Sequence, residues 1–336
     1  VHQIARLIAT AAFLTAAATA LAGPSPAAGY DVEVTHEPGT MLCGLARDGD
    51  AVVVTDLAGG RLLRRRSDGR LTAFGPVLPH GVDVIGEPTG PYTIARHGSR
   101  FLVAQGATPA GKSETAHDHA LLDLDEAGSV RVINREFWTP FDFVVADETI
   151  YVADGARNSV ERLRGDGDRR TLFAFARLTT TEAALKSLSP TEFAGARTYE
   201  LDAVPTGIAV RDGRLYVALF GGFPYLAGAG RVVSLPLAGE IAARVEAVDL
   251  NAPLRIAFDR DGRLLVVEHG TYEQTAGFAP ESGRLVRVDL ASGQRDVLLD
   301  GLTRPGGILV VGENHIMIAQ LDGTLIDLKR KSARRR

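Results

Sequence analysis

One feature constrains this chain more than any other: a unit of roughly fifty residues recurs six times. Each unit opens with proline, two variable residues and an apolar triplet, then a polar turn, then a second apolar run. The clearest copy runs from Pro205 through Val210, turns at Asp212-Gly213 and resumes at Leu215-Tyr216-Val217-Ala218. Others open at Pro91, Pro140, Pro253 and Pro305, and the first carries Leu42 where the others have proline. The starts lie 49, 49, 65, 48 and 52 residues apart. Asp-Gly between alternating apolar runs is hairpin chemistry, because the pair tolerates the positive φ of a two-residue turn. One or two further apolar runs follow in each copy, such as Arg231–Leu235 and Val245–Val248. Four short strands at this period specify an all-β six-bladed propeller.

The last copy has three strands, Ile308–Val311, Ile316–Ala319 and Thr324–Leu328. Its missing fourth strand is expected from Asp31–Thr35, which would close the ring and remove the exposed edges. The long interval after Pro140 holds helix-start signals. Thr179 with Glu182, and Ser189-Pro190-Thr191-Glu192, read as capping boxes. A short helical insertion is therefore expected between blades three and four.

Residues 1–28 precede the repeats. They carry one basic residue, Arg6, an uncharged apolar run from Leu7 to Leu21, and Ala20-Leu21-Ala22 before Gly23. That pattern reads as a secretory signal peptide and spacer, cleaved near Ala22. The expected organisation is leader 1–28, propeller 29–328 and a basic tail 329–336. The mature chain is expected to be periplasmic or extracellular, monomeric, and without a transmembrane segment after cleavage.

The composition agrees. The chain has 336 residues, 45% hydrophobic and 23% charged, enough for a packed core rather than a disordered chain. A single cysteine, Cys43, excludes an internal disulfide and multi-cysteine metal sites. Of 37 basic residues, six fall in the last eight positions and one in the leader, leaving thirty against 41 acids. A body charge near −11 argues against nucleic acid as a partner.

In a propeller blade the first strand starts, and the second ends, on one face, here called the top. The long loops 106–119, 220–229 and 269–282 and the insertion after blade three all decorate it. A rigid ring with one elaborated face presents a binding surface there for a small molecule or a protein.

Val204-Pro205-Thr206-Gly207-Ile208-Ala209-Val210, Leu215-Tyr216-Val217, Phe223-Pro224 and Gly228-Ala229-Gly230-Arg231-Val232 together resemble the ScyD/ScyE family of exported bacterial propellers. The resemblance continues through Ile256–Asp259, Gly262–Leu264 and Gly283–Asp289, best over 200–320. It implies a six-bladed propeller and export, without an established reaction. Residues 152–160 of blade three are similar to NHL repeats. Wider relatives include metal-dependent gluconolactonases and quinone-dependent sugar dehydrogenases. Glu268-His269-Gly270 resembles a stretch of the latter, but Thr271-Tyr272-Glu273-Gln274 stands where that family has Gly-Gly-Asp-Glu.

Several residues are candidates for chemistry. The second strands end on Asp56, Gln105, Asp154, Leu219, Glu268 and Gln320. Asp56, Asp154 and Glu268 could hold a divalent cation such as calcium through oxygen, or could fasten their own turns. Asp142 and Arg255, two residues past their blades' prolines, are expected near the channel mouth, to pair or to bind a polar ligand. His117 and His119 at i and i+2 of an extended chain would suit zinc or copper. Gln105, Phe223 and His269 complete the expected ligand site. The function read from these features is an exported scaffold binding a small molecule or partner on its top face. The alternative is a metal-dependent lactonase or hydrolase, or a quinone-dependent sugar oxidoreductase, of the propeller kind.

Overall fold

The computed structural model describes residues 23–164, 167–181 and 198–331. Among the described residues six antiparallel sheets, five of four strands and one of five, form a closed ring. Their innermost strands are Leu42–Asp48, Pro91–His97, Pro140–Ala146, Pro205–Arg211, Pro253–Phe258 and Pro305–Gly312. In five of the six blades the repeat's opening proline thus starts the strand beside the axis, where a missing N–H at a strand's first residue costs nothing. Tyr30–His36 pairs with Thr324–Arg330 as the outer strand of blade six, Val32 opposite Leu328 and Val34 opposite Ile326. The ring therefore closes through the strand expected from Asp31–Thr35.

Apolar side chains pack in six layers, one between each pair of neighbouring blades. Val53, Leu62 and Phe101 join blades one and two, for example, and Val267, Leu285 and Ile318 join five and six. The period-two alternation explains this arrangement. Both faces of every blade are covered by a neighbour, so both sets of alternating residues are apolar along the inner strands.

Two features differ from expectation. Ser25–Pro26 pairs with Asp300 and Leu299 as a fifth strand on blade five, so β-structure begins four residues before the expected start at 29. In the insertion, Leu178–Thr181 pairs with Thr198–Leu201 as a two-stranded ribbon. Thr179, read as a helix cap, is a strand residue. The β-branched run Thr179-Thr180-Thr181 favours an extended chain, and Leu178 and Leu201 anchor it to the core between blades three and four. The rest of the expected helical insertion (182–197) lies outside the described residues, as do the leader's residues 1–22 and the last five residues of the tail.

Each inner strand carries a bulge directly after its opening residue. Pro91 and Thr93 pair with Gln105 and Ala104, skipping Tyr92. Pro140 and Asp142 likewise skip Phe141, Pro253 and Arg255 skip Leu254, and Pro305 and Gly307 skip Gly306. In blades one and four the skipped pairs are Cys43-Gly44 and Thr206-Gly207. A bulge re-aims a side chain out of the pleat, and this one recurs at the top of every blade.

Candidate functional site

The strand-end carboxylates act on their own blades. Asp56 is fully buried; its Oδ1 accepts the N–H of Met41 (2.9 Å) and Ala58 (3.1 Å), and its Oδ2 takes Arg61 (2.7 Å). Asp154 accepts the N–H of Thr139 (2.7 Å) and Trp138 (3.0 Å) and an Arg157 guanidinium N–H (3.2 Å). Burial pushes the Asp154 carboxyl above its usual range, against the pull of those donors. Glu268 accepts Asn251 N–H (2.8 Å) and Arg284 (2.6 Å). Gln320 repeats the motif, accepting Thr303 N–H at 2.6 Å, whereas Gln105 donates to the Pro79 carbonyl. In each case the side chain ties down the segment that leads into the inner strand of its own blade.

His117 and His119 lie on a turn, not on an extended chain, with His119 at φ 55°. Strand alternation therefore does not align the two imidazoles. His119 Nδ1 lies 2.6 Å from the Trp138 carbonyl oxygen. Among the described residues no three His, Cys, Asp or Glu side chains gather as a metal cluster.

Asp142 and Arg255 meet on the axis. The residues two past each opening position form one layer: Gly44, Thr93, Asp142, Gly207, Arg255 and Gly307. Three are glycine because a Cβ would strike the next blade. At Gly207, for example, it would lie 2.8 Å from the Arg255 Cα. Arg255 is 4% exposed and fills the space they leave. Its guanidinium pairs with Asp142 at 3.1 Å and donates to the carbonyls of Tyr92 (2.8 Å), Gly306 (3.0 Å) and Phe141 (3.1 Å). Asp142 also accepts the Thr93 hydroxyl (3.0 Å) and Ile208 N–H (3.1 Å). With Cys43 Sγ at 3.7 Å from Nη2, this one ion pair touches all six blades.

Above that plug is a cavity of about 370 Å³. Its floor is made of the bulge residues Cys43, Tyr92, Phe141, Thr206 and Leu254. Tyr92 and Phe141 stack at 4.6 Å. Phe220, Phe223 and Tyr225 from loop 220–229, and His269 and Phe278 from loop 269–282, build an aromatic wall. Val204 and Asp202 enter from the insertion, and Asp83, Ile85 and Glu87 from a hairpin joining blades one and two. Of the residues expected at a ligand site, Phe223 and His269 line this cavity. Asp142 and Arg255 seal its base, and Gln105, His117 and His119 do not line it.

His269 is held neutral. Burial, reinforced by the Arg304 charge, lowers its pKa to about 3. Nδ1 faces the Pro305 carbonyl at 3.0 Å, and Nε2 takes an Arg304 N–H at 3.3 Å. The bonding partners thus fix the tautomer. Arg304 also pairs with Glu87 at 2.9 Å, latching the hairpin to blade six.

Sequence reasoning missed the floor and the hairpin. The floor had a signal, the residue after each opening proline. The hairpin had none beyond the length of the 75–90 connection.

No family model matches the chain, and no curated protein does. Among solved structures, a gluconolactonase from Xanthomonas campestris superimposes with a TM-score of 0.61 at 16% identity, covering 90% of each chain. Virginiamycin B lyase from Staphylococcus aureus gives 0.55 at 12% identity, covering 89% of this chain and 99% of that one. The PQQ-bound aldose sugar dehydrogenase from Streptomyces coelicolor gives 0.55 at 15%, covering 91% and 99%. The likeness is one of fold. What these neighbours share with the chain is the β-propeller architecture.

A divalent cation on the axis does not fit the residues present. The axial layer offers one carboxylate, Asp142, whose oxygens already accept three protein donors besides the guanidinium. Arg255 places a permanent positive charge where an oxygen-ligated ion would need room and negative ligands.

Proposed function

We propose that this protein binds a small, largely apolar molecule in the top-face cavity. The observation that carries the reading is the cavity's lining. Bulge residues and aromatic rings form it, while the polar side chains of Thr206, Asn158, Tyr92, Glu87 and Arg304 are already committed to protein partners. Such a surface rewards apolar contact and offers few open hydrogen bonds to a sugar. Its volume lies within the range of small-molecule sites, roughly 300–1,000 Å³.

The test is fluorescence titration with N-phenyl-1-naphthylamine, a neutral probe that brightens in apolar surroundings. Saturable binding is expected. Ala156, exposed on the blade-three rim of the cavity, offers a way to block it. Ala156→Trp should weaken binding by about tenfold or more, since about 1.4 kcal/mol of lost contact is a tenfold effect, while leaving the melting temperature near that of the parent. Equal binding by both proteins would remove the cavity from consideration.

A second reading, a propeller enzyme acting on a lactone or a sugar, is supported by the neighbours named as gluconolactonase and aldose sugar dehydrogenase. Metal and quinone content of the purified protein, followed by a lactone and aldose screen, separates the two readings. Export is part of the same proposal. Gly23, the first residue after the expected cleavage point, places its backbone nitrogen 2.8 Å from Glu281 Oε1. A free ammonium there would gain an ion pair, and mass spectrometry of the secreted chain would read a different first residue if processing occurs elsewhere.

A further inference from the structure

We propose that the cavity takes a hydrophobic cation, an aromatic amine or quaternary ammonium, with Asp83 as its counter-ion. The proposal rests on the cavity being a binding site and adds the charge of the ligand. Three carboxylates line the cavity, those of Asp83, Glu87 and Asp202, against one basic side chain, Arg304. Arg304 is consumed by Glu87 at 2.9 Å, and Asp202 takes Arg177 at 3.0 Å from outside the cavity. Among the described residues, no arginine, lysine or histidine pairs with Asp83. Its Oδ1 accepts the N–H groups of Ile85 (2.9 Å) and Glu87 (3.0 Å), which fix the carboxylate on the hairpin without neutralising it.

The surroundings reinforce this charge. Arg255 below the floor is offset by Asp142 at 3.1 Å, and His269 is neutral. The Tyr225 hydroxyl is pushed up to about 12 by burial, with Glu87, Tyr272 and Asp83 adding to the rise. The lining carries three carboxylates against one guanidinium and is therefore net negative. Aromatic rings present negative faces to a cation, and the attraction grows once water is displaced. An anion would instead meet Asp83 unpaired and would have to break the Glu87–Arg304 latch to find a partner.

The experiment uses a matched dye pair at alkaline pH: the 4-(4-dimethylaminostyryl)-N-methylpyridinium ion and its neutral unmethylated parent. The cation is expected to bind about tenfold tighter than the parent. Asp83→Asn keeps an oxygen for the Ile85 and Glu87 N–H groups and removes only the charge. It should cost the cation about tenfold and leave the parent within about twofold. Equal affinity of the two dyes for the parent protein, or equal losses on Asp83→Asn, would overturn the cation assignment and leave the apolar site standing. Failure of both dyes to bind would overturn the site and this assignment together. The neutral parent dye is the control for a hairpin that has merely shifted, because a displaced hairpin would weaken both dyes.

Discussion

Arg255→Met is expected to lower the unfolding free energy by about 3–5 kcal/mol, the usual cost of stranding a buried charge. The substitution keeps an unbranched apolar side chain but leaves Asp142 on the axis without its cation. It also leaves the Tyr92, Phe141 and Gly306 carbonyls without their donor. No other side chain can take over, since the layer's other members are three glycines and Thr93. The pair should show strong coupling. Arg255→Met combined with Asp142→Asn should lose less than the two single losses added together, because the uncompensated charge is gone. Urea midpoints with unchanged slopes would measure this. A single-variant loss under about 1 kcal/mol would mean that the axis carries no more weight than a surface ion pair.

Glu268→Ala and Asp154→Ala come next, at about 2–3 kcal/mol each. Each removes the acceptor for a backbone N–H, at Asn251 or Thr139, and for an arginine that, among the described residues, has no other side-chain contact to an acid. Arg284 and Arg157 are about one-third exposed and recover part of the loss from water. Binding of the apolar probe should survive, because neither carboxylate lines the cavity. Calorimetric titration beside a melting curve distinguishes this outcome from its opposite. Lost cation or probe affinity in a protein of unchanged stability would make these acids ligands and not fasteners.

The fold was legible because the repeat carries its own geometry. Proline marks the inner strand, Asp-Gly marks a hairpin, and three strands where four are needed call for Asp31–Thr35. The insertion was harder to read. Thr179 and Glu182 satisfy the local rule for a helix cap, but Leu178–Thr181 pairs with Thr198–Leu201, and pairing with partners so far along the chain leaves no local trace. The lining of the candidate cavity was half legible. Phe223 and His269 lie on loops whose length announced them. The strand-end acids could not be assigned from sequence, since a carboxylate that ligates and one that accepts backbone N–H groups look alike until the amides are located. The floor was hidden by the bulges. Alternation counted straight through Pro140-Phe141-Asp142 sends Asp142 to the channel mouth. The bulge lifts Phe141 into the cavity and leaves Asp142 in the plug below it.

The most direct test of the central claim, an apolar binding cavity above a sealed axis, is a crystal structure of the protein with N-phenyl-1-naphthylamine bound. The account predicts the naphthyl ring over Tyr92 and Phe141, walled by Phe220 and Phe278, with Arg255 still paired to Asp142 beneath it. A probe seated elsewhere, or one that enters the channel by displacing Arg255, would contradict it.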